Sequence, residues 1–295
     1  MGGDLRRPGR KPMISREYEF HAPKTLNEAL SLLEKSGGNA KLIAGGMSLV
    51  PMMTLGLAHP DAVISLNKVP GLDGVKEDGG VLAIGAMTRH HVLKTNPLIA
   101  QHAPLLAEAA KYVGDVQVRH RGTLGGVLVH ADPAADYLPV CLALGAQIKL
   151  QSAKGVRTVE ARDFFKDIMT TSIEDGEILV EVRVPKLPAG SGSSYQRLHR
   201  VEGNYAIVNA AAVVEPGKKK GRVALGGVGP TPVMIDVSAH IASGVSDDAL
   251  RRVSDAAFAA AENAYGDLNG DAKYKQAMAR VYAQRVVRAA AAQAQ

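Results

Sequence analysis

Apolar positions first recur at helical spacing in Leu26, Ala29, Leu30 and Leu33. Thr25-Leu26-Asn27-Glu28 has the form of a capping box, and Gly37-Gly38 supplies a stop. The pattern then shortens to a strand over Lys41–Ile43, a Met-rich apolar run over Leu49–Leu57 and a buried strand over 62–66. Together these predict a small βαβ-like unit, with Met52 and Met53 as core filler. Strand signals return at Val81–Ala86, helical ones at His90–Lys94 and Pro104–Tyr112. A helix is expected through Leu138–Leu144, and strands at Ile148–Leu150, Val156–Val159 and Ile178–Val184. That mixture predicts an α+β second unit. The run from Pro185 to Gly192 (PKLPAGSG) is the strongest linker signal in the chain. Beyond it come strands at Tyr195–Leu198, Ile207–Val214 and Arg222–Gly226, then Ala-rich helices over 246–262 and 271–292. The expected units are 13–67, 68–186 and 187–295.

Two glycine-rich stretches interrupt this pattern. The first is Ala44-Gly45-Gly46-Met47-Ser48. The second runs from Arg119 to Pro139, RHRGTLGGVLVHADPAADYLP. Gly122, Gly125 and Gly126 are expected in a turn with positive φ, beside the Thr123 hydroxyl. Successive N–H groups in such turns make anion-binding nests. Two of them, each with a hydroxyl, suit a pyrophosphate held from both sides.

Composition narrows the function classes. The 295 residues suffice for two or three domains, and 46% hydrophobic with 22% charged is soluble and globular. The net charge is +6, but Arg6, Arg7, Arg10 and Lys11 supply much of it. With no Trp and only 4% aromatics, a base-stacking platform is not expected, which counts against a basic nucleic-acid-binding protein. The single Cys141 excludes a disulfide framework and any intrachain Cys-ligated cluster, and a reducing cytoplasm fits it. Its apolar surroundings place it in the core. No apolar run is long enough to span a bilayer. Arg6-Arg7 is not followed by a signal-type hydrophobic region, so residues 1–12 read as a disordered leader or expression remnant. Neither G-x-G-x-x-G nor G-x-x-x-x-G-K-[ST] occurs. His90-His91 follow Arg89 at a polar helix start and are expected on the solvated surface. His130 and Asp132 lack a third metal ligand.

The texts AGGMSLVPMM (44–53), TLGGVLVHADPAAD (123–136) and GNYA (203–206) resemble the FAD-binding medium subunits of molybdenum hydroxylases, of the aerobic carbon monoxide dehydrogenase type. The resemblance covers nearly all of 13–290. It implies an α+β chain: a two-part FAD-binding domain of the PCMH/vanillyl-alcohol-oxidase-like type, then an α+β C-terminal domain of the CO dehydrogenase flavoprotein type. It implies non-covalent FAD here, with the molybdenum cofactor on a large subunit and [2Fe–2S] clusters on a small one. The expected assembly is a cytoplasmic dimer of heterotrimers, any membrane association being through partners. Electrons would leave to an external acceptor: quinone, NAD or oxygen. The cofactor-contacting residues implied are Lys41, Leu42, Ile43, Ala44, Gly45, Gly46, Met47, Ser48, Val113, Gly114, Val118, Thr123, Leu124, Gly125, Gly126, Val127, His130, Asp136, Leu179, Arg197 and Tyr205. Asp136 matches an acid on the flavin's polyol side, and Tyr205 an aromatic beside the isoalloxazine. Departures are Met47 for His, Val127 for Asn or Ser, Arg197 for Lys and Asn204 for Asp. No residue is expected to act as a catalytic acid or base. The competing reading is a self-contained flavin oxidase of the vanillyl-alcohol-oxidase type.

Overall fold

A computed structural model describes residues 17–294. The expectation for residues 1–12 lies outside that range. The first unit is β1 (Glu19–His21), α1 (Leu26–Lys35), β2 (Ala40–Ile43), α2 (Leu49–Thr54) and β3 (Ala62–Ser65). Its three strands are parallel, in the order β1-β3-β2. The N-cap half of the capping box forms, with the Glu28 N–H donating to Thr25 Oγ1, while Glu28 Oε2 reaches one residue further back and accepts from the Lys24 N–H.

The second unit opens with β4 (Val75–Asp78) and β5 (Val81–Gly85). Six helices follow: α3 (His90–Thr95), α4 (Pro97–His102), α5 (Pro104–Ala110), α6 (Val116–Arg121), α7 (Leu124–His130) and α8 (Tyr137–Leu144). Then come β6 (Gln147–Ser152), β7 (Gly155–Glu160), α9 (Ala161–Phe164), the short pair β8 (Phe165–Asp167) and β9 (Thr170–Thr171), and β10 (Ile178–Pro185). Its main sheet is antiparallel, β4-β5-β10-β6-β7. A register shift between Leu179 and Glu181 bulges β10.

The last unit pairs β11 (Gly192–Leu198), β12 (Val208–Glu215), β13 (Lys220–Gly226) and β14 (Val233–Asp236) in an antiparallel meander. After it come α10 (Ser238–Ile241), α11 (Asp247–Ala260) and α12 (Ala272–Gln293). Helix α12 lies across β11 and β12. On the other side α8 packs against β12 and β13, which explains its apolar sequence: all its residues are buried. One core therefore continues from the second unit into the third, including Tyr195, Ala211, Val213 and Ala224. Cys141 lies within it, and burial pushes its thiol up to about 12, leaving it an inert hydrophobe.

The second glycine stretch is not a turn. Gly122, Gly125 and Gly126 all lie outside the positive-φ region, and the latter two are inside α7. Thr123 is the N-cap of that helix and accepts from the Gly126 N–H at 3.1 Å.

Candidate functional site

The first stretch begins where β2 ends. Asn67 Nδ2 donates to the Ala44 carbonyl at 2.9 Å and fixes the chain's exit from the sheet. Gly46 then has φ +78°, a left-handed conformation open to glycine at little cost. Because the chain reverses there before α2, the N–H groups of Gly45, Gly46, Met47 and Ser48 donate to nothing among the described residues.

The second stretch uses its N–H groups internally. Leu124 donates to Thr88 O at 3.0 Å, Gly125 to Ala86 O at 2.8 Å and Val127 to Thr123 O at 3.1 Å. A Cβ on Gly125 would lie 2.7 Å from the Ala86 methyl, so this glycine is required by close packing of α7 on the strand end. The two stretches also touch. A Cβ on Gly45 would strike the Arg121 carbonyl and the Gly122 Cα. Arg89 ties them together, donating from Nη2 to Asn67 Oδ1 at 2.7 Å and from Nη1 to the Arg121 carbonyl. Sequence reasoning missed Asn67 and Arg89, whose partners are distant in the chain.

Between the stretches lies a cavity of about 990 Å³. All the anticipated contact residues line it except Leu124 and Arg197. Leu124 faces the core with no exposure. Met52 lines the cavity rather than filling the core, whereas Met53 is buried as expected. Leu179 reaches the wall at the β10 bulge. Gly114, with φ +52°, faces the loop that carries Gly203, with φ +84°. That loop brings Tyr205, 46% exposed, to the cavity rim. Burial, with Asp132 nearby, pushes the Tyr205 hydroxyl up to about 12, against an opposing contact with Ser48. His130 lines the cavity, but among the described residues no group of three or more His, Cys, Asp or Glu could hold a metal.

Asp136 sits at the back wall, at the N-terminus of α8 and 5% exposed. It accepts from the Tyr195 hydroxyl at 2.5 Å and from Arg197 Nη1 at 3.1 and 3.3 Å. Burial raises its pKa, and the Arg197 charge and these hydrogen bonds oppose that rise. The guanidinium lies over the Tyr112 ring at 5.3 Å, which keeps Arg197 behind Asp136 instead of on the cavity wall. The basic position expected beside a ligand is thus a partner of the acid.

His90 departs most from its sequence reading. It is 3% exposed and lines the cavity, whereas His91 is on the surface. Burial, with Arg89 and Arg119 nearby, depresses its pKa to about 3, so the ring is neutral.

A mixed fold with a cleft between two glycine stretches, and an α+β C-terminal unit joined to it through a shared core, is that of flavin-binding dehydrogenase chains. Residues 16–187 match the family described as the FAD-binding domain in molybdopterin dehydrogenase. Residues 193–290 match the CO dehydrogenase flavoprotein C-terminal domain. The chain belongs to this family, and it is an FAD-carrying oxidoreductase subunit of molybdenum hydroxylase type. The carbon monoxide dehydrogenase medium chain of Hydrogenophaga pseudoflava is 41% identical, covering 94% of this chain and 98% of that one. The 6-hydroxypseudooxynicotine dehydrogenase complex subunit alpha of Paenarthrobacter nicotinovorans is 39% identical over 76% and 77%. A solved carbon monoxide dehydrogenase from H. pseudoflava, lacking the Mo-pyranopterin moiety, superposes with a TM-score of 0.90 at 40% identity, covering 95% and 99%. Among the described residues, no helix is long and apolar enough to cross a membrane.

Proposed function

We propose that this subunit relays electrons between a [2Fe–2S] cluster of a small partner subunit and an external acceptor, within a dimer of heterotrimers whose large subunit carries the molybdenum cofactor. Bound FAD supplies the conversion between two-electron and one-electron transfer. The chain's own residues bind and orient. The observation that carries this reading is the set of N–H groups at Gly45–Ser48, without a partner among the described residues, on residues that line the cavity together with Thr123 and Tyr205. Four successive donors fit a pyrophosphate. The Thr123 hydroxyl keeps its proton free to donate, because its oxygen accepts from Gly126. Leu179 and Tyr205 supply apolar surface for a flat ring, and Asp136 accepts from hydroxyls on the polyol side. Val113, Gly114 and Val118 shape the remaining wall. The functional units run 13–67, 68–186 and 187–295.

The substrate is chosen elsewhere. A carbon monoxide dehydrogenase medium chain and a 6-hydroxypseudooxynicotine dehydrogenase complex subunit alpha are 41% and 39% identical to this chain over the parts they match. That fits a subunit with no named acid or base and a cavity given over to the cofactor. A cytoplasmic complex follows, with quinone, NAD or oxygen as acceptor.

The test is purification from the native host. About one FAD per chain, released by acid, together with copurifying molybdenum and iron–sulfur subunits, supports the proposal. Covalent flavin, FMN at full occupancy, or turnover of a small substrate by this chain alone would favour the self-contained oxidase.

A further inference from the structure

Among the described residues, three that are not glycine have positive φ: Ala131 at +52°, Met169 at +50° and Lys219 at +50°. Two of them meet. The Met169 N–H donates to the Ala131 carbonyl at 3.2 Å, which ties the turn between β8 and β9 to the C-terminus of α7. Asp167 pairs with Thr170 across that turn, so Ile168 and Met169 form its tip. Asp167 Oδ1 accepts from the Ile168 N–H at 2.8 Å, and the Thr170 hydroxyl donates to the Ile168 carbonyl at 3.0 Å. The backbone is thus held in a shape for which glycine or asparagine is the ordinary choice at the second tip position. A methionine there carries a steric cost that glycine would not.

Core packing does not offset that cost. Met169 is 49% exposed and belongs to none of the hydrophobic cores. Ile168 beside it is 48% exposed, yet of the two only Met169 lines the cavity. It does so at the end that carries Tyr205, because Asp132, next in the chain after Ala131, acts on the Tyr205 hydroxyl. Met47, which adjoins Ser48, and Val129, two residues before Ala131, also line the cavity and are also exposed. Four apolar residues from four separate segments therefore stand uncovered around one mouth. We infer that Met169 is a cofactor-contact residue, its side chain lying on the bound isoalloxazine beside Tyr205 and keeping water off it. The inference rests on the FAD reading above. A thioether side chain is flexible and polarizable, and sulfur against an aromatic ring is a favourable contact. The strained tip then serves the loaded protein, not the empty one.

The experiment uses the purified complex stripped of flavin, as parent, Met169→Gly, Met169→Leu and Ile168→Ala. FAD is titrated in by flavin fluorescence, and iodide quenching of the bound flavin reports access to the isoalloxazine. Thermal scans of the flavin-free forms report the fold, and gel electrophoresis the subunit content. Met169→Gly should raise the Kd about fivefold, the size expected for covering half a methionine side chain. Iodide should quench its flavin more steeply than the parent's. Its flavin-free melting temperature should be no lower than the parent's, because glycine relieves the positive φ. Met169→Leu, which keeps the apolar volume, should bind within about twofold of the parent. Ile168→Ala should match the parent throughout. Parent-like affinity and quenching in Met169→Gly overturn the inference. A fall in its flavin-free melting temperature also overturns it, by making the side chain a prop for the wall. Weaker affinity with unchanged quenching would put Met169 against the adenine, and equal weakening in Ile168→Ala would mark a general disturbance of the turn. Loss of a partner subunit at unchanged affinity would make Met169 an interface residue. Each of these three results overturns it as well. A parent complex that takes up no FAD would instead overturn the FAD reading itself.

Discussion

The two glycine stretches resemble each other in sequence and do opposite things. Gly45-Gly46 lies in a loop with a left-handed residue, and the four N–H groups of Gly45–Ser48 have no acceptor among the described residues. Gly125-Gly126 lies in a helix, and its N–H groups are spent on Ala86 and Thr123. The first stretch exposes backbone. The second removes side chains so that α7 can press against the end of β5. One is a clasp and the other is the floor it is mounted on. Glycine pairs alone therefore do not identify a ligand contact; where the N–H groups go does.

Substitutions that separate clasp from floor should differ in kind. Gly125→Val drives a branched side chain into Ala86, and no flexible group there can yield. A loss of about 3 kcal/mol or more is expected, lowering the melting temperature on the order of 10 °C. A stable, flavin-free Gly125→Val protein would instead make the second stretch a clasp. Differential scanning calorimetry decides.

Arg197→Met tests the support behind the second stretch. It strands Asp136 in a buried site, at a cost of about 3 kcal/mol. The sign with pH follows from the raised pKa of Asp136. A raised folded value favours the protonated form, so its contribution is complete below the unfolded value and is lost as pH rises through the folded one. Removing Arg197 pushes the folded value higher still. The deficit against the parent should therefore grow as pH rises above the ordinary carboxylate range, read from urea midpoints. A deficit that shrinks as pH rises would put the charge assignment of the pair in error.

Gly46→Ala acts on the clasp. Left-handed backbone for a residue with a Cβ costs about 1–2 kcal/mol, and the methyl sits 3.2 Å from both Ile43 and Val50. Flavin content should fall well below the parent's while the complex still assembles. Full flavin content after gel filtration would mean that the loop conformation is not needed for binding.

The smallest structural effect is expected at the rim. Tyr205→Ala should change stability by less than about 1 kcal/mol, because the side chain is half exposed. Opening that face should still alter flavin reoxidation, measured by stopped flow after anaerobic reduction. Unchanged kinetics would leave Tyr205 without a part in acceptor access.

Much of the scaffold was legible from local pattern. The capping box at Thr25, the β2–α2–β3 unit and the two C-terminal helices follow from spacing and caps alone. Helix α7 was misread because Gly-Gly after Thr123 looks like a turn. The recurrence of Leu124, Val127 and Leu128 at helical spacing, with Thr123 as cap, was the available signal. His90 was misread for a different reason. Its polar neighbours suggested solvent, and only the fold of Gly122 and Tyr137 around it removes the ring from water. The pairing of Asp136 with Arg197 spans 61 residues and two units, so no local pattern announces it. The resemblance located the cavity's wall residues, but it could not say which of them are spent on the protein itself.

The most direct test is a high-resolution structure of the flavin-loaded complex, read at the pyrophosphate. Its oxygens are expected within hydrogen-bonding distance of the N–H groups of Gly45–Ser48 and the Thr123 hydroxyl. Pyrophosphate bound instead to the N–H groups of Leu124–Val127, with those of Gly45–Ser48 turned away, would contradict this.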